Sequence, residues 1–97
     1  MSVLITLLLS ALTAAFAQPV YVGNETEVVK KIAKHPESHP WVKDAIVEYR
    51  LWDLSRVDLY TPTHAIEVDW AAKWAEAIGQ SLYYSDVTGK QPGIVLL

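Results

Sequence analysis

The chain has no cysteine, so neither a disulfide nor a thiolate-ligated zinc can support the fold. Its four glycines do not form a phosphate-binding loop, and without a nucleophile elbow or a thiol there is no basis for nucleophilic catalysis. Basic residues are scarce: eight Lys and Arg stand against eleven Asp and Glu, for a net charge of −3. That balance counts against a broad surface that neutralises phosphates. It does not count against a metal site, which gathers acids by necessity. The three histidines do not form a metal set, since His35 and His39 share a proline loop with no further ligands and His64 stands apart.

Charge is also missing from the opening segment. From Val3 to Ala17 runs an uncharged, apolar stretch of about fifteen residues, closed by the small-x-small triplet Ala15-Phe16-Ala17. This predicts an export signal over residues 1–17, cleavage before Gln18, a periplasmic or extracellular location, and no stable membrane association afterwards. The alternative is an uncleaved anchor, but a membrane-spanning helix needs about 20 apolar residues. Residues 18–97 are then enough for one small domain, with a core slight enough for a homodimer or a bound metal to matter.

Asn24 and Glu27 have the spacing of a helix N-cap and its capping-box partner, and Val28, Val29, Ile32 and Ala33 supply an apolar side. Two prolines within "HPESHPW" end that helix. "AIVEYRLW", "RVDLY" and "HAIEVDW" read as a three-strand meander. Alternation places Val57 and Leu59 on one face of the second strand and Arg56, Asp58 and Tyr60 on the other; on the third strand Ala65, Glu67 and Asp69 share a face. A second helix is expected from about Trp70 to Ser85, with Ala71, Trp74, Ala75, Ile78 and Leu82 inward and Lys73, Glu76 and Gln80 outward. "GIVLL" completes the order as a buried strand. The expected architecture is α/β (α+β), a mixed four-stranded sheet flanked by two helices.

Asp58 and Glu67 on neighbouring strands would offer hard oxygen ligands to magnesium or manganese, the cations that assist phosphodiester hydrolysis. Taken alone, the same acids read as a surface ion pair with Arg56 and a solvated edge. The element order and the stretch "RVDLYTPTHAIEVDWAAKWAEAIGQ" resemble the PD-(D/E)xK nuclease superfamily of Holliday-junction resolvases and restriction enzymes, and a small bacterial and phage family within it. The resemblance covers residues 24–97 and implies an αβββαβ core, a metal held by Asp58 and Glu67, and DNA as substrate. An acid of the first helix, Glu25 or Glu27, would be the accessory acid. The chain departs from the pattern where the superfamily has a strand lysine and this sequence has Asp69. Lys73 would replace that cation from the helix, with Asp69 as a third ligand or a support for it. Glu27, Glu76 and Gln80 are expected as supporting or substrate-contacting groups. Two other readings stay open: an inert nuclease-fold binding or assembly module with Trp and Tyr as its partner surface, and a calcium site serving stability alone. A Lys73 that reaches the acids favours the enzyme; one that points to solvent favours the module.

Overall fold

The computed structural model describes residues 24–97 in full and, before them, only the backbone of two strands, β1 (Ser2–Leu7) and β2 (Leu12–Ala17). The export-signal expectation falls on residues 1–17 and so lies outside the fully described residues. Asn24 caps α1 (Glu25–Ala33), its Oδ1 accepting the Glu27 N–H at 2.9 Å, as the capping pattern requires. The apolar spacing buries Val28, Val29 and Ile32. The meander forms as β3 (Ile46–Arg50), β4 (Arg56–Tyr60) and β5 (His64–Asp69), all antiparallel. A short 3-10 turn, Ala71–Lys73, leads into α2 (Trp74–Thr88). Gly89, at φ 73° where a side chain would be strained, ends α2 and turns the chain into β6 (Gln91–Leu96), parallel to β5.

The result is an α+β fold with a mixed four-stranded sheet and two helices; β1 and β2 continue the sheet past β6 in the order β2-β1-β6-β5-β4-β3. Among the described residues no helix is long and apolar enough to cross a membrane. The main core joins α1 to Leu59, Ile66, Val68 and Val95. A second cluster, Val57, Ala65 and Tyr84, joins α2 to the sheet. Ala65 and Ile66 are successive on β5, so the two helices cover opposite faces.

Two local expectations are corrected. Val57 and Leu59 do not share a face, because they fall in the two different clusters. Glu48, between the paired residues Val47↔Leu59 and Tyr49↔Val57, has φ 54°. That left-handed residue breaks the alternation of β3 and, across the ladder, of β4. Helix α2 is rotated from its expected setting: Ala77, Ser81 and Tyr84 are buried, whereas Trp74 and Leu82 are 57% and 49% exposed. Small residues at Ala77 and Ser81 let the helix lie close to a sheet whose own side chains fill the space, and this outweighs the hydrophobicity of the wider stripe.

Gly93 pairs with Ile66, and a Cβ added there would stand 3.0 Å from Ile66 Cγ1. Gly93→Val is expected to lower stability by about 1–3 kcal/mol through overpacking, read as a lower urea midpoint. An unchanged midpoint would mean that Ile66 yields freely.

Candidate metal centre

The ladder between β4 and β5 consists of Leu59↔Ile66 and Tyr60↔Ala65. Continued one step, that register sets Asp58 opposite Glu67. There a side chain replaces the backbone partner: the Val68 N–H donates to Asp58 Oδ2 at 2.8 Å. Asp58 therefore satisfies a backbone donor where the strands part, and its side chain also interacts with the Glu67 carboxyl.

The third acid comes from α1. One carboxylate oxygen from each of Glu25, Asp58 and Glu67 lies within 4.8 Å of the others. Glu25 sits in the first turn of its helix, where the dipole favours negative charge. Glu67 is 6% exposed and its Oε2 is buried without a hydrogen-bond partner.

Crowding shows in the titration of the group. Burial pushes the Glu67 carboxyl far above its usual range, helped by its hydrogen bond to Asp58 and by the charges of Asp58, Glu25 and Asp69. Asp58 is also raised, by burial first, with the hydrogen bonds from Glu67 and the Val68 N–H opposing the rise and Glu48 and Asp69 adding to it. Glu25 is raised by burial and by Asp69 and Asp58; Lys73 opposes that rise and Glu76 adds to it. These carboxyls cannot all ionise together in so small a space without a counter-charge. Without a counter-charge, burial and the neighbouring acids favour the protonated form of Glu67.

Asp58 and Glu67 are thus brought together. Asp69 is buried beside them, with its Oδ1 accepting the Trp70 N–H at 2.8 Å, and stands outside the three-oxygen group. Lys73 is exposed; its charge acts on Glu25, but no ion pair joins it to an acid among the described residues. Of the two acids on the first helix, Glu25 enters the group and Glu27 is exposed. Glu76 is exposed within electrostatic range of Glu25, and Gln80 is half-buried, with no hydrogen bond to the acids among the described residues.

Sequence reasoning missed two neighbours. Glu48 raises Asp58 from the adjacent strand while pairing with Arg56 at 3.4 Å. The buried Tyr84 hydroxyl is pushed up to about 12 by burial, then by the charges of Glu67, Asp58 and Asp53. Glu48 could have been noticed as the lone acid inside "IVEYR"; nothing in the sequence marks Tyr84. No protein-family model, no curated protein and no solved structure matches the chain, which leaves the geometry of these side chains as the ground for a functional reading.

Proposed function

We propose that this chain is a metal-dependent nuclease-like phosphodiesterase acting on DNA, with Glu25, Asp58 and Glu67 as the ligands of a magnesium or manganese ion. The observation that carries the reading is the buried, unpartnered Glu67 Oε2 in a group of three carboxylates. A buried acceptor without a partner costs about 1–3 kcal/mol, and a cation is the partner its neighbours could share. The donor set fits a hard ion: all three ligands are carboxylate oxygens, and they lie within 4.8 Å of one another.

A cation bound there would neutralise charge on a phosphate and lower the pKa of an attacking water. Asp58 orients itself through the Val68 N–H, so it is held in place before any ligand arrives. Asp69 adds negative charge beside the group, which strengthens its hold on a cation. In this reading Lys73, whose charge acts on Glu25, would meet the charge that builds on a phosphate.

The test is nicking of supercoiled plasmid with magnesium or manganese, beside Glu67→Ala prepared identically. Open circles should form with the parent chain and metal, and be lost in the variant and in chelator. A folded, metal-supplied parent chain that leaves the plasmid intact would overturn the reading. One observation favours a second reading, the inert nuclease-fold module: Lys73 is exposed and makes no ion pair with the acids. That module would bind the metal and still leave the plasmid intact.

A further inference from the structure

The hairpin between β3 and β4 has three features that the metal centre does not explain. Its tip presents Trp52, 82% exposed, and Leu54, 70% exposed. Leu54 has φ 70°, a conformation that a bulky residue adopts only at a cost and that glycine or asparagine fills more easily. Below the tip, Arg50 and Arg56 are direct partners across the ladder, and like charges so placed repel.

The tip is held firmly despite these costs. Leu51 N–H donates to Ser55 O at 2.8 Å and Leu54 N–H to Leu51 O at 3.0 Å. Asp53 accepts from the Ser55 N–H at 3.0 Å, from the Ser55 hydroxyl and from the Tyr83 hydroxyl of α2. The one acid at the tip is therefore held by Ser55 and the exposed Tyr83, whereas the arginines make few hydrogen bonds. Among the described residues, Arg50 contacts Leu54 O and Arg56 contacts Glu48, each at 3.4 Å, although a guanidinium carries five N–H donors.

The tip is also continuous with the metal centre. Arg56 is two residues from Asp58, about 7 Å along the strand, close to the separation of neighbouring phosphates along one nucleic-acid strand. Glu48 links them, pairing with Arg56 while standing beside Asp58.

We propose that this hairpin is a strand-holding element: Arg50 and Arg56 clamp backbone phosphates of an unpaired or frayed DNA segment, and Trp52 stacks on one of its bases, next to the phosphate presented to the acids. The inference rests on the nuclease-like reading for its choice of polymer. A lipid surface would use Trp52 and Leu54 equally well, but it gives no role to the line from Arg56 through Glu48 to Asp58.

The experiment is titration of a labelled oligothymidylate of about fifteen nucleotides, followed by anisotropy in a Glu67→Gln background that removes cleavage from the readout. Trp52→Ala should weaken binding about tenfold or more through lost stacking. Arg50→Gln with Arg56→Gln should flatten the slope of log affinity against log salt by about 1.4, the value for two phosphates on a single strand. A blunt duplex of the same length should bind more weakly. Unchanged affinity and slope in these variants, or no oligonucleotide binding at all, would overturn the inference, as would Trp52-dependent binding confined to phosphatidylglycerol vesicles. Manganese binding by the otherwise unaltered chain, followed by calorimetry, separates the two claims. If manganese does not bind but tip-dependent oligonucleotide binding persists, the metal reading fails and the strand-holding hairpin stands.

Discussion

In chelator above neutral pH, Glu67→Gln melts at a higher temperature than the parent chain, and manganese raises the melting temperature of the parent alone. The cause is the buried carboxyl that keeps its proton. Burial raises Glu67 from its ordinary 4.5 to about 10 when folded, so between those two values the folded chain holds a proton that the unfolded chain has lost. Stability then falls as pH rises, by up to about 1.4 kcal/mol per pH unit for one proton. The contribution is fully present below 4.5 and is eroded through the neutral range. For a domain of this size each kcal/mol is worth about 4–8 °C. Glutamine keeps the shape of the protonated acid and its hydrogen bond to Asp58, and has no proton to lose. A cation acts in the opposite sense, since it stabilises the ionised group, by about 2.7 kcal/mol at a hundred times its dissociation constant. Thermal melts at several pH values, with chelator and with manganese, decide the matter. A parent chain whose melting temperature is flat from mildly acid to mildly alkaline pH in chelator would rule out the buried neutral carboxyl. An equal manganese response in both proteins would remove Glu67 from the ligand set.

Asp58 has two duties, and two substitutions separate them. Its Oδ2 accepts the Val68 N–H where the strands part, and its carboxylate is one of the three in the metal group. Asp58→Asn keeps an acceptor for Val68 and loses the charge, whereas Asp58→Ala loses both and leaves a buried N–H without a partner. Alanine should therefore be less stable than asparagine by about 1–3 kcal/mol, measured by denaturant unfolding in chelator. Both variants should bind manganese at least tenfold more weakly than the parent chain, as measured by calorimetry. Equal stability of the two would show that water or a shifted backbone satisfies Val68. Parent-like manganese affinity in both would take Asp58 out of the site.

Much of the frame was legible because it depends on local rules. The Asn24 cap and the buried face of α1 follow from helical spacing, the meander from period-two patterning, and β6 from its continuous apolar run. The closeness of Asp58 to Glu67 was also within reach, since the short turn at 61–63 fixes how β4 meets β5. The rest depends on contacts between elements. The positive φ at Glu48 has no marker such as glycine, yet it moves Val57 to the opposite face from Leu59. The setting of α2 is not legible in the sequence because its widest apolar stripe is not the inner one; close approach favours the narrow line through Ala77 and Ser81. Glu25 and Glu27 could not be told apart by spacing alone. Which of them meets the sheet depends on how α1 docks through Val28, Val29 and Ile32.

The turn at 61–63 also bears on the order in which the chain assembles. Thr61 closes it four ways, its N–H and its hydroxyl both donating to His64 O and its hydroxyl oxygen accepting the N–H groups of Thr63 and His64. A hairpin so short forms in about 1–10 μs, and it brings Asp58 and Glu67 together before any distant contact is needed. Glu25 approaches them only when α1 packs, so the full repulsion among the three acids arises late on the folding path. Removing that repulsion should act mainly on how slowly the folded chain comes apart, and much less on how fast the hairpin forms.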